Sequence, residues 1–223
     1  MSDAILTALA GEAARLAGLG LMACTGGNLS AVIEREPLIV AMSPSGVDKG
    51  QLKPADFIRV GRDAKALPPE TRKPSDEALV HLRIYQATGA QAVCHGHPPH
   101  AVALSMDAGP RIEMRGIEMM KALSGTTTHL CERTLPVVEN SQDMEELTAR
   151  VLAARIEHMP AVLVRGHGVY AWGANVRDAA RHLETVEWLC RVLLLMRSTG
   201  IALGALAPPV RESGGPEVRK SHG

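Results

Sequence analysis

The stretch AVCHGHPPHAVAL, residues 92–104, joins two apolar runs through a polar segment that holds three histidines. Residues 90–95 have the length and apolar content of a buried strand, and the two prolines that follow favour the start of a helix. Because side chains alternate along an extended chain, His95 and His97 are expected on the same side of the strand end. The stretch therefore predicts a strand that leads into a helix, with either half of a metal site or a histidine-rich loop between them.

Strands and helices alternate on both sides of this stretch. Apolar runs predict strands at residues 37–43, 56–60, 135–140 and 161–166. Helical periodicity and start signals predict helices at residues 1–22, 75–88, 141–158 and 175–198, with Ser75 and Ser141 as the first residues of the second and third. Such alternation predicts a layered α/β domain in which one sheet is covered by helices on both faces. The domain is expected to span residues 1–205, followed by a disordered tail at 206–223.

Composition and charge exclude several classes of protein. Lysine plus arginine equals aspartate plus glutamate at 24 each, and the chain has only two tryptophans, two tyrosines and one phenylalanine. Neither nucleic acid nor an anionic membrane surface is therefore an expected partner. No apolar run approaches the roughly 18 residues of a membrane span, and the first residues do not resemble a signal peptide. The four cysteines show no CxxC spacing, which favours a reducing, cytoplasmic location.

A third histidine strengthens the metal interpretation. The segment AVLVRGHGVYAWG, residues 161–173, places His167 directly after an apolar strand and between two glycines. A strand end would bring His167 to the same rim as His95 and His97, and flanking glycines allow close approach of the backbone. Three imidazoles with one open position are typical of a catalytic zinc site, whereas a structural site needs a fourth protein ligand.

Three short turns are candidates for binding an anion. TGGNLS (25–30), SPSG (43–46) and KPSD (73–76) combine glycine with hydroxyl or amide side chains, and the third precedes a predicted helix. Backbone N–H groups in such turns bind phosphate. Each turn alone is also explained as a plain connection between elements, so the phosphate interpretation depends on the neighbouring metal site.

Four carboxylates are candidates for acid/base roles or for structural ones. Glu77 lies in the first turn of a predicted helix, where the helix dipole already favours a negative charge. Glu118 lies in the apolar helical patch RGIEMMKALSG, where partial burial would raise its pKa and suit it to acid/base catalysis, although an exposed helix face is an equal alternative. Glu184 and Glu187 are expected on the solvent face of the last helix.

Taken together, the motifs resemble the class II aldolase and adducin superfamily over residues 5–198. They are TGGNLS, SPSGVDKGQLKPADF, KPSDEALVH, HGH, GIEMMKALSGTTTH, PVVENSQDMEEL, RGHGVYAWG and RHLETVEWL, in that order. The resemblance implies a mainly antiparallel or mixed central sheet. It implies one Zn²⁺ per subunit, bound by His95, His97 and His167. It also implies that the phosphate of a small sugar phosphate is bound by Gly27, Asn28, Ser45, Gly46 and Ser75.

Within that superfamily the chain most resembles the dehydratases that act on methylthioribulose 1-phosphate in methionine salvage. In that branch Glu118 matches the acid/base, and the expected assembly is a homotetramer. The alternative is an aldolase that cleaves a 2-ketose 1-phosphate, in which the acid/base role passes to Glu77. Two residues depart from the family patterns. His100 departs from the dehydratase pattern and is reminiscent of the aldolases, whereas Asp76 replaces the second phosphate-contacting serine of the aldolases and is an unfavourable neighbour for a phosphate. A non-enzymatic, adducin-like scaffold is the remaining alternative, and the retained histidines argue against it.

Overall fold

The computed structural model describes residues 2–200, so the expected domain end at residue 205 and the expected tail at 206–223 lie outside the described residues. The helices are α1 (Ser2–Gly18), α2 (Ala78–Thr88), α3 (Pro99–Asp107), α4 (Met144–Ala153) and α5 (Val176–Ser198). The strands are β1 (Asn28–Glu34), β2 (Ile39–Met42), β3 (Ile58–Gly61), β4 (Ala92–Gly96), β5 (Arg111–Arg115), β6 (Glu132–Val138), β7 (Ala161–Val164) and β8 (Gly168–Gly173).

All eight strands form one sheet in the order β3-β2-β1-β4-β8-β7-β6-β5. Neighbouring strands are antiparallel except β6 and β7, which are parallel, so the predicted mainly antiparallel, mixed sheet is confirmed. Strand β4 lies between β1 and β8, with His95 opposite Asn28 on one side and Tyr170 on the other. Residues far apart in the chain therefore meet at one end of the central strands.

Helices cover both faces of the sheet, as predicted. The first face packs against α1, α3 and α5, and the second packs against α2 and α4. Strand β8 contributes side chains to the apolar clusters on both faces of the sheet. Val169 and Ala171 pack in the cluster on the first face, and Tyr170 and Trp172 pack in the cluster on the second. Because both faces are covered, the central strands are buried throughout and lack the alternation of a half-exposed strand.

The longest helix, α5, agrees with its predicted pattern. Asn175 accepts a hydrogen bond from the backbone N–H of Asp178 and caps the helix. The predicted apolar face is buried at every position: Ala179, Leu183, Val186, Leu189, Cys190 and Leu193. Among residues 2–200, no helix, α5 included, combines the length and hydropathy that a membrane crossing requires.

Two helices begin later than predicted. Helix α2 begins at Ala78 with Glu77 at the capping position, so Ser75 precedes the cap, and its hydroxyl accepts hydrogen bonds from the Asn28 amide and the Glu77 backbone N–H. Helix α4 begins at Met144 and is capped by Asp143, whose carboxylate accepts from two backbone N–H groups. Ser141 is therefore not the cap of α4. Asp143 thus makes the capping contact that the sequence pattern assigned to Ser141, whereas no side chain caps α2.

Candidate active site

The structure brings the three predicted histidines together. His95 is the fourth residue of β4, His97 follows the strand, and His167 lies in the turn between β7 and β8. Because β4 and β8 are antiparallel neighbours, with Gly96 opposite Val169, the end of one strand meets the start of the other. One ring nitrogen of each histidine lies within 4.8 Å of the other two. The three rings thus converge on one point at the end of the central strands.

The protonation of His95 suits a metal ligand. Its Nδ1 lies 3.1 Å from the carbonyl oxygen of Val169, and because a carbonyl only accepts, Nδ1 carries the proton. The other nitrogen, Nε2, therefore presents a lone pair, 3.0 Å from Nε2 of His97. Burial lowers the pKa of His95 to about 3, so the ring is neutral at physiological pH, the form that binds metals. These residues fit a divalent ion that prefers nitrogen ligands.

An aromatic side chain fixes the plane of the His95 ring. The ring of Tyr170 stacks on it, with centroids 4.2 Å apart and planes 23° from parallel. The Tyr170 hydroxyl is buried without a hydrogen-bond partner among the described residues. The sequence analysis did not single out Tyr170, although its place in RGHGVYAWG, three residues after His167, puts it on the neighbouring strand. Its contribution is to hold the His95 ring in position.

Glycines allow the backbone segments around the histidines to touch. A Cβ on Gly27, whose φ is +73°, would lie 2.7 Å from the carbonyl oxygen of His95. A Cβ on Gly168 would collide with the carbonyl oxygen of Gly96 and lie 2.9 Å from the ring of His97. The expected close approach of the backbone is therefore present, and it leaves no room for a side chain at either glycine.

Glu77 belongs to the same cluster. One carboxylate oxygen, Oε1, lies 3.3 Å from His95 Nε2 and 3.1 Å from His167 Nε2, and Oε2 accepts a 2.6 Å hydrogen bond from Asn28. Burial favours a higher pKa, but the imidazoles of His95 and His167 and the Asn28 amide outweigh it and hold the pKa of Glu77 well below its usual range. Although Glu77 precedes α2, its side chain makes no capping hydrogen bond. The site therefore contains an ionised carboxylate beside the three imidazole rings.

The three predicted anion-binding turns meet beside the histidines. They enclose a cavity of about 170 Å³. All five residues expected to bind phosphate line it: Gly27, Asn28, Ser45, Gly46 and Ser75. A wider groove of about 540 Å³ shares Ser45, Ser75 and Glu77 with the cavity and continues past His97 and His167 to residues 140–144. The small cavity suits a phosphate, and the groove suits the carbon chain attached to it.

The lining of the cavity also includes a buried lysine that the sequence analysis missed. Lys49 lies in a short 3-10 helix, Lys49–Gln51, and is 1% exposed. Burial lowers its pKa from the usual value. A lysine in SPSGVDKG gives no signal of burial in the sequence, because lysines are mostly exposed and only the fold reveals that this one is covered.

Glu118 does not have the environment expected from the sequence. It begins a short 3-10 helix, Glu118–Ala122, and its side chain is 68% exposed. The ammonium of Lys121 lies 2.6 Å from one carboxylate oxygen and His129 lies 3.2 Å from the other. The hydrogen bond from Lys121 lowers the pKa of Glu118. The expected partial burial and raised pKa are therefore wrong, and the exposed alternative is the one observed.

Within its own chain, Glu118 also lies away from the histidines. The same segment continues to Ser124, which hydrogen-bonds His182, and Nδ1 of His182 donates to the carbonyl oxygen of Trp172. Trp172 lies four residues along β8 from Gly168, where the histidines meet. At about 3.3 Å per residue, the two ends are separated by about 13 Å. The segment of Glu118 is therefore anchored at the opposite end of β8.

His100 and Asp76, the two departures from the family patterns, have partners outside the cluster. His100 Nδ1 lies 2.5 Å from a carboxylate oxygen of Glu187, so this ring is not a fourth ligand. Glu187 itself is buried at 8% exposure, which makes its expected place on the solvent face wrong. Asp76 pairs with Lys73 at 2.6 Å and does not line the phosphate-sized cavity. The Asp76 charge, which was expected to be unfavourable beside a phosphate, is therefore paired with Lys73 and lies outside the phosphate-sized cavity.

Comparison with known proteins gives consistent results. Residues 7–194 match the family model described as class II aldolase and adducin N-terminal domain. A methylthioribulose-1-phosphate dehydratase from Pectobacterium atrosepticum is 37% identical over 197 residues, which cover 86% of this chain and 94% of that protein. The Pseudoalteromonas translucida protein of the same name is 41% identical, covering 74% of this chain and 78% of its own. The L-fuculose-1-phosphate aldolase structure from Thermus thermophilus superposes with a TM-score of 0.73 at 29% identity, covering 91% of this chain and all of that one.

Proposed function

The chain belongs to the class II aldolase and adducin family, and we propose that it is a metal-dependent lyase that dehydrates 5-methylthioribulose 1-phosphate in methionine salvage. The product is 2,3-diketo-5-methylthiopentyl 1-phosphate. The observation that carries the proposal is the convergence of His95, His97 and His167 beside a cavity of phosphate size. The names and identities of the curated dehydratases support this choice of substrate.

The proposed metal is zinc, one ion per subunit, held by the three histidines. Three imidazole ligands with an open position are the donor set of catalytic zinc sites. A bound zinc ion supplies Lewis-acid polarisation of the carbonyl and hydroxyl oxygens of the substrate. Removal of the ion with a chelator is expected to abolish activity, and added Zn²⁺ is expected to restore it.

The proposed phosphate site orients the substrate. The turns that contain Gly27, Asn28 and Ser45 present backbone N–H and side-chain donors toward one cavity, together with Gly46 and Ser75. With the C1 phosphate bound there, C2 and C3 lie toward the histidines and the methylthio end lies in the wider groove. This placement exposes the bonds at C3 and C4 to the acid/base groups.

Glu118 is the proposed acid/base of the dehydration. It removes the C3 proton and protonates the C4 hydroxyl as that group leaves as water, after which the enol becomes the 2,3-diketone. Because Glu118 lies at the opposite end of β8 in its own chain, we propose that a neighbouring subunit supplies it, in the tetramer that the family resemblance implies.

The four cysteines are free, which supports the proposed reducing, cytoplasmic location.

Aldol cleavage of the same substrate is the second candidate, and the position of Glu77 favours it. An ionised carboxylate beside the histidines is placed to accept the proton of the C4 hydroxyl while the C3–C4 bond breaks. The solved L-fuculose-1-phosphate aldolases, at 27% and 29% identity, share the fold. The two reactions differ in whether the C4 oxygen leaves as water or remains in an aldehyde.

The deciding experiment identifies the products formed from methylthioribulose 1-phosphate by the zinc-loaded protein. Mass spectrometry is expected to find a product lighter than the substrate by one water. Dihydroxyacetone phosphate together with methylthioacetaldehyde would establish the aldolase and assign the acid/base role to Glu77. The chelator-treated protein, assayed in parallel, is the control for reaction without the metal.

A further inference from the structure

The buried lysine at the phosphate-sized cavity has no carboxylate partner of its own. The ammonium of Lys49 donates to two backbone carbonyl oxygens, those of Thr25 and Val47, each at 2.8 Å. The neighbouring Asp48 carboxylate instead accepts from Gly50 N–H and the Gln51 amide. A buried ammonium without an ion pair is costly in a folded protein. Its position therefore needs an explanation beyond packing.

One explanation is structural. Thr25 directly precedes the TGGNLS glycines, and Val47 directly follows SPSG, so the Lys49 ammonium joins the two turns that enclose the cavity. Two neutral carbonyl acceptors leave one of the three ammonium protons without an acceptor, and the carboxylates of Asp48 and Glu77 act on the charge only from a distance, without forming an ion pair with it. The NH₂ group of an amide side chain could donate to both carbonyl oxygens without burying a charge. The structural explanation therefore accounts for the hydrogen bonds of Lys49 but not for its charge.

The charges around the cavity favour an anion there. Of the residues that line it, Lys49 is the one lysine or arginine, and the one carboxylate is Glu77. The Glu77 carboxylate already has polar partners in His95, His167 and the Asn28 amide. A phosphate dianion in the cavity would meet neutral turn donors and the positive charge of Lys49, which has no ion-pair partner of its own.

We propose that Lys49 supplies the positive charge that binds the phosphate of the substrate and makes the site selective for phosphorylated over unphosphorylated sugars. The inference rests on the proposed function for the identity of the sugar, but the phosphate contact can be tested without turnover. It assigns Lys49 two roles: its hydrogen bonds position the two turns, and its charge binds the ligand that the turns enclose.

The test is a calorimetric titration, in which inorganic phosphate is added to the zinc-loaded protein and the heat of binding is measured. Lys49→Gln keeps a hydrogen-bond donor but removes the charge, and Lys49→Arg keeps the charge. Lys65→Gln, at an exposed lysine in the loop after β3, removes the same charge from the surface. Because all proteins carry the same metal, a contribution of zinc to phosphate binding cancels in the comparison. Zinc content and the thermal midpoint report on folding.

Lys49→Gln is expected to weaken phosphate binding roughly 10- to 100-fold, because a hydrogen bond between charged groups contributes about that much. Lys65→Gln is expected to bind as the wild type does, and Lys49→Arg is expected to lose less than Lys49→Gln. Unchanged phosphate affinity in Lys49→Gln would overturn the proposal, even if its thermal midpoint falls, because that result is the signature of a purely structural lysine. Undetectable phosphate binding by the wild type would overturn it as well.

A second measurement covers the case in which Lys49→Gln does not fold. Crystals of the wild-type protein soaked in inorganic phosphate are expected to show a phosphate oxygen within about 3 Å of Lys49 Nζ. A phosphate bound in the cavity but out of reach of Nζ would contradict the proposal. Neither measurement requires the dehydratase reaction, so a failed activity assay and a failed phosphate contact are distinguishable.

Discussion

Two carboxylates, Glu77 and Glu118, have opposite surroundings, because the first is enclosed by the histidine cluster and the second is exposed. Glu77 is largely enclosed, and the imidazoles and amide that contact it favour its ionised form. A carboxylate held in that form is a base and a poor source of protons at neutral pH. Dehydration needs a group that also donates a proton to the leaving hydroxyl. Glu118 lies beside Lys121 and His129 on the surface, where its carboxylate is accessible to solvent for proton exchange.

Replacement of Glu118 tests its proposed role as the acid/base. Glu118→Gln is expected to lower kcat for dehydration about 100-fold or more, because an amide cannot transfer the proton. Zinc content is expected to stay at the wild-type level, since Glu118 contacts none of the three histidines in its own chain. The measurement is steady-state kinetics together with elemental analysis.

The matched control is Glu113→Gln, at an exposed carboxylate on β5. Its activity is expected to equal that of the wild type. Full dehydratase activity in Glu118→Gln would remove Glu118 from the mechanism and leave Glu77 as the remaining carboxylate at the site.

At the scale of elements, helix α3 depends on α5 for its N-terminal cap. Pro98 occupies the capping position and has no side chain that can accept a hydrogen bond. Glu187 of α5 supplies the acceptor instead: its carboxylate accepts from the backbone N–H groups of His100 and Ala101 at 3.2 and 3.0 Å. The same carboxylate bonds the His100 ring. Helix α3, which follows His97, is thereby attached to the longest helix of the domain.

Loss of this cap is expected to destabilise the fold. Glu187→Ala removes a buried acceptor from two backbone donors and should lower the free energy of unfolding by about 2 kcal/mol. Glu184→Ala, one turn earlier on α5, removes a half-exposed ion pair with Arg15 and should cost less than about 1 kcal/mol. Urea denaturation measures both. Equal losses in the two variants would show that Glu187 contributes no more than a surface ion pair.

The elements that could be predicted from sequence are those with a strong local signal. Helix α5 has one continuous apolar face, and β4 and β7 are short apolar runs followed by turns. Strands β1, β5 and β8 were not predicted. Strand β1 is buried on both faces and directly follows a glycine turn, β8 begins and ends with glycine, and β5 is a charged strand at the edge of the sheet. Their assignment depends on pairing with distant strands.

The residues of the site likewise divide into those with a local sequence signal and those whose contacts depend on distant parts of the chain. The histidines could be placed together because strand ends in one sheet share a rim, and the anion-binding turns carry local glycine and serine signals. The stacking of Tyr170, the burial of Lys49 and the contact between His100 and Glu187 join segments that are distant in the chain. The exposed position of Glu118 could not be predicted either, because a short apolar patch looks the same whether it is a buried helix or a surface turn.

At the scale of the whole molecule, the proposed acid/base and the histidines lie at opposite ends of β8. A single subunit therefore cannot bring Glu118 to its own metal site without a change of fold. Head-to-tail association of identical subunits would place one end against the other and close into a ring. In such an assembly each active site combines residues of two chains. An isolated subunit then has no complete active site.

This arrangement predicts complementation between inactive variants. Glu118→Gln and His97→Gln are each expected to be inactive alone, but co-expressed subunits should recover part of the activity, because some interfaces then pair an intact Glu118 with an intact set of histidines. The measurement compares specific activity of the mixed protein with that of each variant. If the mixed oligomers stay inactive, Glu118 and the histidines act within one chain or not together.

The contact between Gly168 and the backbone of Gly96 restricts how this site can change during evolution. At this contact the two segments meet through backbone atoms, so there is no side chain whose replacement by a slightly larger or smaller one could adjust their spacing. Substitution therefore cannot gradually shift the histidines relative to one another. The part of the molecule that brings the three histidines together is therefore expected to tolerate few substitutions. The groove wall formed by residues 140–142 and Met144 consists of side chains on a loop and at the start of α4, and it is free to vary. Relatives with the same metal chemistry can therefore acquire different substrates by altering that wall.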